Sequence, residues 1–222
     1  MDLIELSAEL SVDFSERFLF LAEVLSEKEL NCSKDSIRQA IEELQVYADD
    51  KNVLTEIVSS IYVVGNPNYV VTTINTIMLL GYFQTVDAIP KILNYPLSMD
   101  MMCFYETYEW IDLWFGSEAI PVIKRFIEYP GNHPQGKVMG ICSLLNFLEY
   151  FPNYVSDLKS FFLSRVKNYL FNSKNENSIL VEACVKTNFK EALPWIEKMY
   201  QNNLVGGIQL YDSYQEVLND YE

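Results

Sequence analysis

The sequence predicts an all-α fold, an α-solenoid of about five antiparallel helix pairs, and three observations carry that prediction. Apolar residues recur at helical spacing over stretches too long for strands. Gly and Pro fall between those stretches, where they end helices. A tetrad of acid, Ala, aliphatic and Pro returns along the chain. No Asn-Gly or Asp-Gly hairpin turn argues for strands. With 222 residues, 50% of them hydrophobic, the chain has ample material for a buried core and is too apolar for an acidic disordered tail.

The elements follow in order. Asp13-Phe14-Ser15-Glu16 resembles a capping box and opens a helix to about Ser26. Ile37, Ala40, Ile41, Leu44 and Ala48 form one apolar stripe after Ser33. Further helices are expected over 53–64, 68–83, 86–95, 99–115, 118–128, 135–151, 154–171, 176–187 and 189–202, with a short acidic one over 212–221. The breaks carry Gly65-Asn66-Pro67, Tyr95-Pro96, Gly116-Ser117, Pro130-Gly131 and Pro152-Asn153. In domain terms, 1–51 is a helical cap, 52–205 the repeats, and 206–222 an acidic C-terminal cap or tail, all within one structural domain.

The recurring tetrad reads Asp87-Ala88-Ile89-Pro90, Glu118-Ala119-Ile120-Pro121 and Glu191-Ala192-Leu193-Pro194, with room for a degenerate unit around Phe151-Pro152. Pro is tolerated in a first helical turn because its missing N–H would have no partner there, and an acid at that end meets the positive pole of the helix dipole. Each copy is therefore expected to open the second helix of a pair. Ala permits close approach to the preceding helix, and Ile92, Ile123 or Ile196 continues the packed stripe.

This pattern resembles the second-helix opening of HEAT-like repeats, including the phycobilisome-lyase type. The stretch from Glu191 to Tyr200, with Leu204-Val205 after it, also resembles the C-terminal module of an uncharacterised bacterial family of helical-repeat proteins. The resemblance implies a HEAT/ARM-like superhelix that presents surfaces to other macromolecules, and it implies no catalytic residue.

Charge narrows the partners. Lys and Arg number 16 against 31 Asp and Glu, a formal charge of −15. Such a surplus repels phosphate backbones and anionic lipid; with no local basic patch read from the sequence, nucleic acid and membrane are not expected partners. Met1 to Leu10 lacks the pattern of a secretory signal, and the apolar run from Val70 to Phe83 falls short of the about 20 residues that span a bilayer. A cytoplasmic location is expected. Cys32, Cys103, Cys142 and Cys184 have no close spacing and read as reduced core thiols, not as a zinc or redox motif.

Gly131-Asn132-His133-Pro134-Gln135-Gly136-Lys137 matches the spacing of a phosphate-binding loop, yet Val138 replaces the magnesium-binding hydroxyl and a helix, not a strand, precedes it. It reads as a helix-to-helix turn, with His133 as an exposed spectator. One His excludes a multi-His metal site, and no G-x-S-x-G or G-x-G-x-x-G occurs. No cofactor and no metal are expected, and the chain reads as no enzyme.

Glu106, Glu109 and Asp112 share one side of the 99–115 helix, flanked by Tyr105, Tyr108 and Trp110. As structure alone this is a solvated helix face. As recognition, carboxylates beside aromatic anchors suit a basic protein. The resulting expectation is a non-catalytic protein-binding module whose acidic, aromatic-containing surface takes a basic protein partner. One alternative is an immunity or antitoxin-type inhibitor of a basic toxin or nuclease. Another is an enzyme using a carboxylate pair such as Glu106 and Glu109 as acid and base.

Overall fold

The structure, a computed structural model, describes residues 45, 49, 80–83, 85–94, 111, 115–207 and 211–221. The expected helices before residue 80 and the carboxylate-aromatic cluster Tyr105, Glu106, Tyr108, Glu109, Trp110 and Asp112 lie outside the described residues, as do Cys32 and Cys103.

Among the described residues the protein is all-α, with no strand. Its α-helices are α1 (Ile89–Asn94), α2 (Ala119–Glu128), α3 (Pro134–Tyr150), α4 (Val155–Lys167), α5 (Lys174–Lys186), α6 (Leu193–Gln201) and α7 (Tyr214–Asp220). The chain divides into two compact units. One comprises Met1–Ile92 with Met101–Ala119, the other Leu93–Asp100 with Ile120–Glu222.

The tetrads share a local setting. In the first and third, a 3-10 turn (Val86–Ala88, Lys190–Ala192) runs straight into a helix that carries Pro in its first turn. The chain enters both turns through the same pair of backbone bonds. Thr85 N donates to Leu80 O at 2.9 Å and Phe189 N to Cys184 O at 2.8 Å, after which Ala88 N and Ala192 N close onto Thr85 O and Phe189 O. The second tetrad enters differently, through Gly116 at φ 59°, so that its 3-10 turn is Gly116–Glu118 and α2 begins at Ala119. Between the second and third, Pro152–Tyr154 forms another 3-10 turn, closed by Tyr154 N to Phe151 O at 3.0 Å, and leads into α4 without the tetrad residues. In all three tetrads the Ala is fully buried and the acid exposed. The division follows from size and charge: a methyl group fits against a neighbouring helix, while a carboxylate at a helix start stays hydrated and opposite the dipole.

In the first unit, Ala88, Ile89 and Ile92 are buried with Leu80, Ile111 and Phe115, and the Thr85 hydroxyl donates to Leu80 O at 2.8 Å.

The core of the second unit is built around α3 and α5. Residues 136–145 of α3 and 176–184 of α5 are buried without interruption, as expected for helices enclosed on most sides. These two helices pack on one another, α4 packs on α5, and α4 also meets α6 and the turn before it. Gly140 lets α3 approach α2 closely, because a Cβ there would stand 3.0 Å from Ile123 and 3.1 Å from Ile127. Phe147 and Phe162 fill the centre, each fully buried, which is worth about 2–3 kcal/mol per ring. The acidic C-terminal segment docks: α7 packs against α5 and α6, burying Val217 and Tyr221.

Candidate functional site

Apart from Tyr129, the large apolar side chains that the second unit exposes flank the two ends of α4 in sequence. At its C-terminal end the sequence reading carried the helix to residue 171, but α4 stops at Lys167. Asn168 caps it, its side chain donating to Ser164 O at 3.0 Å, and the chain turns through a 3-10 turn at Tyr169–Phe171 before α5.

That turn is held by a dense polar network. Asn172 Nδ2 donates to Arg165 O at 3.1 Å and to Asn177 Oδ1 at 3.0 Å, and Arg165 Nη2 donates to Asn172 Oδ1. The Arg165 guanidinium also pairs with Glu176 Oε1 at 3.3 Å. Glu176 in turn completes a capping box with Ser173: Ser173 N donates to Glu176 Oε2 at 2.8 Å, and Glu176 N to Ser173 Oγ at 3.2 Å. From α5, the fully buried Asn177 sends Nδ2 to Tyr169 O at 3.1 Å and to Leu204 O at 3.0 Å, tying the turn to the loop after α6. Each buried polar group satisfied in this way stiffens the backbone that carries it.

At the apex of this fixed turn stand two apolar side chains. Leu170 is 68% exposed and Phe171 is 85% exposed. Exposed Lys167 and Lys174 flank them. From residue 158 to 175 the chain contains Lys159, Arg165, Lys167 and Lys174 and no carboxylate. Of these, Arg165 is paired with Glu176 and Lys159 lies over Phe189, which leaves Lys167 and Lys174 as the exposed cations of the turn.

The neighbouring turn between α2 and α3 is the segment that mimics a phosphate loop. Asn94 organises it, its Oδ1 accepting from His133 N at 3.0 Å and its Nδ2 donating to Asn132 Oδ1 at 3.1 Å. Gly136 and Lys137 already belong to α3. Lys137 is almost buried, its Nζ 3.5 Å from Pro130 O, and burial lowers its pKa despite the opposing field of Glu176. The ammonium thus faces the protein's own carbonyl and carboxylate. His133 is half-buried at the helix entry, with Nδ1 out of solvent and without a hydrogen-bond partner, which corrects the expectation of an exposed spectator. Its main chain is pinned by Asn94, and that brings the ring inward.

At the N-terminal end of α4 the charges are mixed, with exposed Lys190 next to exposed Glu191. Tyr150 is 56% exposed and Tyr154 37% exposed. Asp157, with 55% of its side chain exposed, receives Lys124 Nζ at 2.9 Å. The turn that carries exposed Glu191 packs beside α4, and Lys159 lies 5.7 Å over the Phe189 ring. α7 is tied to the turn before α6 and to the start of α6. Tyr221 donates to Phe189 O at 3.3 Å and Tyr214 to Leu193 O at 3.5 Å.

Among the described residues no three His, Cys, Asp or Glu side chains come together as a metal cage. Cys142 and Cys184 are reduced and buried; burial drives both thiol pKa values up, that of Cys184 to about 12. Glu182 is buried, with Oε1 on Lys186 Nζ at 2.8 Å and Oε2 unpartnered. No helix of the described residues is long and apolar enough to cross a membrane.

Sequence reasoning missed Leu170 and Phe171 because it placed them on a helix face. The available signal was an apolar pair enclosed by Asn168, Asn172 and Ser173, residues that favour turns. No family model, curated protein or solved structure matches this chain.

Proposed function

We propose that this all-α protein is a non-catalytic interaction module, a HEAT-like array of helix pairs that works in the cytoplasm and presents an acidic, aromatic-containing surface to a basic protein. The observation that carries the reading is the exposure of Tyr150 and Tyr154 on a chain of formal charge −15, since aromatic rings supply contact area at low entropic cost and a surplus of carboxylate steers a cation-rich partner. The array is supported by the repeated 3-10 entry into α1, α4 and α6 and by the packing of α3 on α5. In this reading Glu106, Glu109 and Asp112, with Tyr105, Tyr108 and Trp110, are by their residue types a second candidate set for such a partner.

The test is affinity capture at low and high salt with two altered chains, Tyr150→Ala/Tyr154→Ala and Glu106→Gln/Glu109→Gln/Asp112→Asn. A basic partner that is retained at about 50 mM salt, weakens at about 300 mM and is lost with either altered chain supports the proposal. Binding indifferent to salt and to both sets of substitutions overturns it.

A further inference from the structure

The chain changes its manner of attachment at Gly206. Before it the backbone is pinned to α5: Asn177 Nδ2 donates to Leu204 O at 3.0 Å and Gly206 N to Ser178 Oγ at 3.0 Å. Gly207 follows at φ 81°, a left-handed value that glycine adopts without strain. α7 then organises itself. Ser213 Oγ accepts from Glu216 N at 3.3 Å, Glu216 Oε2 accepts from Asp212 N at 2.7 Å, and Gln215 Nε2 donates to Asn219 Oδ1 at 3.1 Å. Its seat lies on α5 and α6. Val217 and Tyr221, four residues apart and so on one face, supply the buried side, and the Tyr214 and Tyr221 hydroxyls reach the Leu193 and Phe189 carbonyls. We propose that this seat is a binding groove held closed by the chain's own α7, and that its other occupant is a short amphipathic helix of a partner protein with an aliphatic residue four positions before a tyrosine. The groove shares no residue with the Tyr150–Tyr154 surface, and it selects by fit and by the hydroxyl, not by charge.

Two features make α7 a displaceable occupant and not a wall of the core. A helix of seven residues has no standing stability of its own in water, so it is formed only while docked. Its docking is carried by one aliphatic and one aromatic side chain, whereas α3 and α5 are buried without interruption over 136–145 and 176–184. α7 therefore belongs to the low end of the stability range and opens before the core does. A competing helix that offers the same two anchors remakes the same contacts, so the spacing in α7 states what the groove accepts. The tether gives α7 the advantage of a high effective concentration, and the groove answers only to a partner that is abundant or better anchored.

Fluorescence anisotropy on the full chain tests this, with a labelled peptide of residues 211–222 as probe and protein up to about 500 µM, the range that two anchors warrant. Two altered chains open the seat: Val217→Asp, which sets a carboxylate in a buried position, and Tyr221→Ser, each checked by circular dichroism. Both should bind the probe at least about tenfold more tightly than the wild type, whose own α7 occupies the groove. A probe carrying Val217→Asp should bind none of the chains. In the wild type, amide exchange over 214–220 should run ahead of that in α5. Equal binding by wild-type and altered chains, no binding by either altered chain, or binding of the Val217→Asp probe overturns the inference. So do amides of 214–220 that exchange only together with α5, or altered chains that both lose helix beyond α7, since α7 would then be part of the core. A wild-type dimer in sedimentation velocity that Val217→Asp abolishes would give the groove to a second copy and overturn the partner reading.

Discussion

Gly136 is a position where one hydrogen atom decides the packing. A Cβ built there would lie 1.9 Å from the Leu93 carbonyl oxygen, a backbone atom that cannot swing aside. Gly136→Ala should therefore cost about 2–4 kcal/mol, seen as a lower urea midpoint at unchanged slope. From sequence this glycine was legible only as the end of a turn; its contact with a residue far back in the chain has no local signature. Asn177 is a second case. It reads as a helix-interior polar residue of middling propensity, yet it is fully buried and serves the Tyr169 and Leu204 carbonyls together. Asn177→Ala strips both acceptors of their donor and should cost about 1–3 kcal/mol for each carbonyl left dry. Because those carbonyls anchor the Leu170–Phe171 turn, amide hydrogen exchange around residues 169–173 should quicken more in this variant than in α3.

At the level of elements, the tetrads were legible because Pro and an acid mark a helix start whatever the tertiary context, and each of them does mark one. The ends of helices were harder. α5 and α6 stop through a left-handed Asn, Asn188 at φ 48° and Asn203 at φ 53°, with Phe189 N returning to Cys184 O and Leu204 N to Met199 O. Asn in that role competes with many other uses of the residue, whereas Gly would have announced itself. α4 ended early for a similar reason, at an Asn whose side chain bonds its own last turn. The acidic α7 was legible as a helix but not as a packed one, since Val217 and Tyr221 alone carry its buried face. Its docking depends on neutral tyrosines. Burial, with Glu216 and Asp212 nearby, pushes Tyr200 up to about 12, and burial with a hydrogen bond to Asp220 pushes Tyr211 up to about 12; burial also raises Tyr221. In the unfolded chain these phenols ionise near about pH 10. Between that pH and about 12 the folded state binds the extra protons, so the stability they lend is whole below about pH 10 and is lost as pH rises above it. Thermal melts should be level from about pH 7 to 9.5 and fall beyond about pH 10, with phenolate absorbance rising in step with the loss of helix.

Over the whole molecule, opposing demands meet in the charge. A formal charge of −15 keeps copies apart in dilute solution and raises the free energy of every compact state, since folding brings 31 carboxylates closer together against only 16 cations. Local pairing relieves little of this: Lys124–Asp157 and Lys186–Glu182 each have one partner open to water, where an ion pair contributes about 0–1 kcal/mol. The remaining repulsion is long-ranged and therefore open to screening. At about 10 mM ionic strength the Debye length is about 30 Å and repulsion reaches across a folded unit; at about 150 mM it is about 8 Å and mostly neighbours remain. Raising salt over that range should stabilise the fold, moving the thermal midpoint up by a few degrees, with most of the gain complete by about 200 mM. Sodium chloride and potassium chloride should act alike, since screening depends on ionic strength and not on a bound cation.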